Sequence, residues 1–170
     1  MYLECTLMVI LGIDPGYGRI GYGVLEKKGN MFNLIDYGVI YTSKEDELPK
    51  RLLNIDEQLR NLIETYKPDE SAVEKLYFFK NVATAIQVGE ARGVILLCLE
   101  KENIPIYEYT PFQIKQAVTG YGRAEKGQIQ RTLKLLLKLE KTPTPDDAAD
   151  ALATAFCHGN FRRSFKNAGY

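Results

Sequence analysis

Four acidic residues stand where carboxylates are costly: Asp14 closing ILGID, Glu74 inside SAVEKL, and Asp147 and Asp150 in PDDAADALA. Each costs several kcal/mol to desolvate, and two close together cannot both stay ionised without a counter-charge. A pair of hard divalent cations resolves that conflict. Carboxylate oxygen suits Mg²⁺ or Mn²⁺, and two such ions about 4 Å apart can clamp the attacking and leaving oxygens of a phosphodiester.

Each residue also has a plainer role open to it. Asp14 either caps a DPG turn in which Gly16 supplies the positive φ, or is presented at the end of a buried strand. In the second case Gly16, Gly18, Gly21 and Gly23 would let a phosphate or metal approach the backbone. Glu74 shares a strand face with Ala72, and an inward carboxylate on an apolar strand is rarely structural without a partner. Asp147 and Asp150 are three apart and share one helix face. With Thr144 as N-cap and Pro145 at the first helical position, Asp146 and Asp147 would simply complement the helix dipole. Asp150 falls in the second turn, on a face of small residues that must lie close to a sheet. That approach would deliver its carboxylate to the strand ends carrying Asp14 and Glu74.

Two further groups bear on what such a site would act upon. Tyr77, Phe78 and Phe79 are bracketed by Lys75 and Lys80. They read either as core aromatics at a helix start or as a wedge on which splayed bases stack. Lys115, Arg123, Lys126, Arg131, Lys134 and Lys138 form a basic strip. Within it Lys115 and Lys126 flank the glycine break of TGYGRAEKGQ, where backbone amides and lysines could meet a phosphate together. His158 is the single histidine and sits beside Cys157. With no second histidine or nearby serine, a nucleophilic triad is unsupported.

The elements that must position these residues follow from period and punctuation. Met8–Ile13 reads as a doubly buried strand ended by DPG. Ile20–Lys27 and Phe32–Thr42 follow across a break at Gly29 and Asn30, giving an antiparallel meander. Leu48–Tyr66 changes to helical spacing, with Leu52, Ile55, Leu59, Leu62 and Ile63 in register. Ser71–Leu76 is a fourth strand, Asn81–Glu102 a helix with small residues (Ala83, Gly89, Ala91, Gly93) on one side, and Ile104–Thr110 a fifth strand. Helices over Thr110–Thr119, Glu125–Leu139 and Asp146–His158 close the pattern. That order is an α/β domain with a mixed five-stranded sheet flanked by helices.

Composition bounds the partners. The chain has 170 residues, 45% apolar, enough for one compact domain, expected over residues 8–160 with extensions at 1–7 and 161–170. Net charge is zero, but residues 1–110 carry 12 basic against 17 acidic side chains and residues 111–170 carry 10 against 5. A basic C-terminal third is the only electrostatic pointer to nucleic acid. Cys5, Cys98 and Cys157 read as thiols of a reducing cytoplasm. The longest strongly apolar run, Val94–Leu99, is too short to span a bilayer, and no signal peptide is evident.

Taken together, the motifs resemble the RuvC Holliday-junction resolvases, a family with an RNase H-like fold. The likeness runs from Met8 almost to the end: ILGIDPGYGRIGYGVL, KPDESAVEKLYFFKN, QVGEARGVILL, EYTPFQIKQAVTGYGRAEKGQIQ and PDDAADALATAFCHG, in the family's order and spacing. The resemblance places the family's metal-binding aspartate on Asp14, its strand glutamate on Glu74 and its closing aspartate pair on Asp147 and Asp150. Asp146 is then an extra neighbour. Phosphate-contacting lysines fall on Lys115 and Lys126, and a junction-contacting aromatic, commonly phenylalanine, falls on Tyr77.

The resemblance implies a homodimeric crossover junction endodeoxyribonuclease using two Mg²⁺, or Mn²⁺, per active site. It would nick two strands of a four-way junction in recombination and repair, leaving 5′-phosphate and 3′-hydroxyl ends, possible partners being branch-migration proteins of the RuvA and RuvB type. Three alternatives are weaker. An actin-like or sugar kinase needs two such domains, a non-catalytic junction-binding module would tolerate loss of the carboxylates, and an RNase H-like nuclease acting on RNA does not account for the aromatic loop with Lys115 and Lys126.

Overall fold

The computed structural model describes residues 7–76 and 82–167. Tyr77 and Cys5 therefore lie outside the described residues. A five-stranded sheet in the order β3-β2-β1-β4-β5 forms the centre. Strands β1 (Leu7–Asp14), β2 (Arg19–Lys28) and β3 (Met31–Tyr41) are the antiparallel meander. Strands β4 (Glu70–Glu74) and β5 (Ile106–Tyr109) extend it in parallel from β1. The parallel half is possible because a helix returns the chain each time: α1 (Leu48–Tyr66) before β4 and α2 (Val82–Lys101) before β5. Helices α3 (Pro111–Thr119), α4 (Lys126–Leu136) and α5 (Asp146–Asn167) complete the fold.

The two faces of the sheet are sorted by the period of two along each strand. On one face Leu11, Ile13, Val24 and Val73 pack against α1 and α2, with Ile55, Leu59, Ile95 and Leu99 at the centre. On the other, Ile10, Leu25 and Ala72 pack against α3, α4 and α5 through Ile114, Leu133, Leu152 and Phe156.

Helix α5 lies with its backbone directly on the sheet. A Cβ added at Gly12 would collide with the Ala151 carbonyl, at Gly21 with the Asp147 carbonyl, and at Gly23 with the Leu152 backbone. This corrects one sequence expectation. Gly21 and Gly23 admit a helix, not a phosphate, and the space at Gly16 is filled by the Arg19 carbonyl. The small residues of α5 (Ala148, Ala151, Ala155) are the other half of that contact, and all three are fully buried.

Three boundaries also differ. Pro145, not Thr144, takes the cap position of α5, its carbonyl accepting the amides of Ala148 and Ala149. At the other end α5 continues past His158, because Gly159 is no helix stop: its missing side chain makes room for the Phe32 ring. Helix α4 stops at Leu136 instead of Leu139, with Lys138 at φ 52°. On α2 the side bearing Gly89 and Gly93 meets no other part of the described chain, while Ala91, Ile95 and Cys98 face the core.

Candidate active site

Asp14 ends β1 and Glu74 ends β4. Because Ile13 pairs in register with Val73, the two carboxylate-bearing residues stand at the same level on adjacent parallel strands. Ile13 and Val73 point to the α1–α2 face. Alternation therefore turns Asp14 and Glu74 to the opposite face, where α5 lies. Across the strand pair, Asp14 is opposite Gly21, and Gly21 is where the Asp147 carbonyl rests. The first turns of α5 thus arrive over the strand ends with Asp147 and Asp150. Glu74 and Asp150 line a pocket with Lys115 of α3 and Lys126 of α4.

The electrostatics show how crowded this pole is. Burial first, then the negative charges of Glu74, Asp150 and Asp147, push the Asp14 carboxyl up to about 8, against a pull from Lys126. Burial, then Asp150, push Glu74 up to about 7, opposed by a hydrogen bond shared with Asp14 and by Lys126 and Lys115. Near neutral pH the Asp14–Glu74 pair therefore retains protonation that isolated carboxyls would have lost.

Two cations partly relieve the cluster. Lys126 Nζ donates to Asp150 Oδ2 at 2.9 Å and lies 3.4 Å from Asp146. Burial works against the Lys126 charge, but the bond to Asp150 and the two aspartates outweigh it and raise the ammonium's pKa. Asp150 is nevertheless raised too, since its own burial exceeds what one lysine returns. Asp146, exposed, is lowered by the Gln130 amide and then by Lys126, which fits the extra neighbour and not a buried ligand. Arg19 Nε stands 3.3 Å from Asp147 Oδ2. That oxygen is buried and accepts no hydrogen bond, so the arginine is close but misaligned.

These observations fit a donor set for hard cations. The site combines all-oxygen ligands, an orphaned buried carboxylate oxygen and two carboxyls whose charge the protein alone does not stabilise. Among the described residues no three acidic, histidine or cysteine side chains stand in a ready-made cation cage. Asp150 is held by Lys126, and Asp147 lies beside Arg19.

The family model described as crossover junction endodeoxyribonuclease RuvC matches residues 10–158. This chain belongs to the RuvC family. Its relatives include a crossover junction endodeoxyribonuclease RuvC of Thermosipho melanesiensis, 57% identical over 150 residues, 88% of this chain and 96% of that protein. Another, from Halothermothrix orenii, is 56% identical over 92% of this chain and 94% of its own length. Among solved structures, T. thermophilus RuvC in complex with Holliday junction substrate is similar with a TM-score of 0.88 at 33% identity, covering 93% of this chain and 96% of that one. The yeast mitochondrial Holliday junction resolvase Ydc2 shares the fold, with a TM-score of 0.68 at 15% identity, over 93% of this chain and 80% of that one.

Within this RuvC-family chain the four sequence-selected carboxylates and both selected lysines come to one pole, from five different elements. Lys134 and Lys138 do not line that pocket. Two neighbours escaped the sequence reading. Arg19 follows the DPGYG turn and gave no signal. Arg51 did: it sits four residues before Ile55 on the buried stripe of α1, where a charge is out of place. It is buried, covers the Tyr17 ring at 3.5 Å, and donates to Thr42 Oγ1 and to the Tyr17 carbonyl. Arg51 thereby fixes the turn that follows Asp14.

Proposed function

We propose that this protein is a divalent-metal-dependent endonuclease that resolves four-way DNA junctions, with Asp14, Glu74, Asp147 and Asp150 as its metal-holding carboxylates. The observation that carries this reading is the convergence of those four residues, from β1, β4 and α5, at a pole whose carboxyls repel one another. Those carboxylates would hold Mg²⁺, or Mn²⁺, which would supply a lowered pKa for the attacking water and charge stabilisation for the leaving oxygen, so no protein nucleophile would be needed. The chain's own residues do the rest. The Asp14–Glu74 pair would give up its retained protonation as cations bind, and Lys115 and Lys126 hold the scissile strand's phosphates. Arg51 and the Tyr17 turn keep Asp14 in place. Products carry 5′-phosphate and 3′-hydroxyl ends.

The substrate class rests on family membership and on the T. thermophilus complex with Holliday junction substrate. Tyr77, immediately beyond the described stretch that ends β4, is our choice for the aromatic at the exchange point. Two paired nicks require two active sites, hence a homodimer. The exposed side of α2, with Ile86, Gly93 and Leu97, is the surface we assign to it. RuvA- and RuvB-type proteins are proposed to deliver the junction in the cytoplasm, where Cys98 and Cys157 stay as free buried thiols. No helix among the described residues is long and apolar enough to cross a membrane.

Cleavage of a synthetic four-way junction beside a linear duplex and an RNA–DNA hybrid, with Mg²⁺ and with chelator, tests the proposal. Paired, Mg²⁺-dependent nicks confined to the junction are expected. Preferential cutting of the hybrid would make the protein an RNase H-type enzyme, and binding without cutting would make it a junction-binding module.

A further inference from the structure

The start of α3 and the loop between α3 and α4 expose two aromatic rings that lie outside the core. Tyr121 is 57% exposed and Phe112 is 53% exposed. Neither belongs to the buried clusters on either face of the sheet. Rings in such positions usually sit on mobile tips, yet this backbone is tied down from several directions. Gly120 takes φ 75° as the cap of α3, its amide donating to the Gln116 carbonyl at 2.8 Å. Thr119 Oγ1 accepts the Tyr121 amide at 3.1 Å and lies 2.8 Å from the Lys115 carbonyl, to which it donates. The Tyr121 carbonyl accepts the amide of Ala124, which is itself buried. Gly122 has no side chain, and the Phe112 ring fills the place where one would be. The Tyr121 ring is therefore held out by a fixed loop, and Phe112 is braced against that loop.

The surroundings say what these rings would meet. Phe112 and Lys115 are one helical turn apart on α3 and share a face. Lys115 lines the carboxylate pocket with Glu74, Lys126 and Asp150. Residues 111–124 contain Lys115 and Arg123 and no carboxylate. Fixed aromatic faces interleaved with cations, beside a phosphodiester-cutting site, match nucleic acid whose bases are out of the helical stack. An apolar protein surface would leave Lys115 and Arg123 desolvated without partners.

The geometry points to the loop at residues 119–122 as a nucleobase platform. Tyr121, supported by the Phe112 edge of the site, stacks on an unpaired base of the DNA strand whose phosphates Lys115 and Lys126 hold. This rests on the proposed junction-cleaving function and adds a second base contact, separate in the chain from Tyr77. The platform reads no sequence, because every base presents a π face, but it selects strands distorted enough to offer one.

Junctions carrying 2-aminopurine at single positions around the exchange point test it, titrated with full-length protein in Ca²⁺ to suppress cutting. Wild type is expected to quench one or two positions through stacking. Tyr121→Phe should retain that quenching. Tyr121→Ala should abolish it and weaken junction binding by about tenfold, in the range of one lost base stack. Because Tyr121 is exposed, Tyr121→Ala should melt with wild type, and a melting scan verifies this. Quenching and affinity unchanged in Tyr121→Ala would overturn the platform while leaving the junction-binding reading standing. A changed dimerisation constant with unchanged quenching would make the ring a protein contact and also overturn it. Failure of wild type to bind any junction would instead sink the function itself, and the platform with it.

Discussion

Strand β4 carries an acid at each end, each meeting helix α5, and the two ends behave oppositely. At one end Glu70 opens β4 and meets His158 from α5: Nε2 lies 2.6 Å from Oε2, and the other ring nitrogen lies 2.7 Å from Tyr109 Oη. His158 is fully buried, and the Tyr107 ring is 4.5 Å from it. Both ring nitrogens of His158 thus have partners, Glu70 Oε2 and Tyr109 Oη. At the other end, four residues along the same strand, Glu74 meets Asp14 and Asp150, acids against acids. Burial is common to both ends, so burial does not mark the working site. What marks it is charge the protein declines to neutralise.

The largest test of that contrast is catalytic. Asp14→Asn, Glu74→Gln and Asp150→Asn should each reduce junction nicking to background while binding holds or tightens, as negative charge facing phosphate is removed. Gel shifts beside cleavage assays separate the two effects, and a fully active Asp150→Asn would reduce that residue to a partner of Lys126. At the other end Glu70→Ala should remove the buried Glu70–His158 hydrogen bond, leaving the bond to Tyr109, and lower stability by about 1–3 kcal/mol in urea unfolding. Folded Glu70→Ala protein should still nick. Loss of cutting there at full occupancy of the native state would erase the distinction between the two ends.

Stability against pH gives a finer test. The Asp14 carboxyl titrates near 8 in the folded chain and near its ordinary 3.8 when unfolded. Between those values the native state holds a proton the unfolded state has lost, so its contribution falls as pH rises from about 4 to about 8. In chelator, Asp14→Asn should therefore match wild type near pH 4 and exceed it by a few kcal/mol at pH 8. A gap that does not grow with pH would mean Asp14 is solvated and unstrained. Glu70→Ala has the opposite sign at any of these pH values.

The smallest effects belong to the lysines. Lys115→Ala and Lys126→Ala should each flatten the plot of log affinity against log salt by about one unit, and Lys134→Ala should not. Equal slopes for all three would replace the localised pocket with a diffuse basic field.

Much of this arrangement was legible in the chain. The periods of the strands and helices, the DPG stop and the Gly29 break locate the ten elements of the described residues to within a few residues, except where α5 runs on past His158 and α4 ends early. The acids were legible as chemistry because each interrupts an apolar run, and a buried carboxylate demands an explanation. Arg51 was legible for the same reason and was passed over. Gly21 and Gly23 were misassigned because a missing side chain shows only that something comes close. Only the packing shows that the visitor is the α5 backbone.

Sequence by itself determined which residues alternate along each strand, and that four carboxylates would stand in or beside apolar stretches. Those properties depend on near neighbours along the chain and on the cost of desolvation. Tertiary structure decided which acids meet. The parallel register of β1 with β4 puts Asp14 beside Glu74, and the seating of α5 on Gly12, Gly21 and Gly23 brings Asp147 and Asp150 to them. It also gave Glu70 a histidine and Glu74 none. Partners 60 to 136 residues apart are chosen by how surfaces fit, and no local pattern encodes that choice.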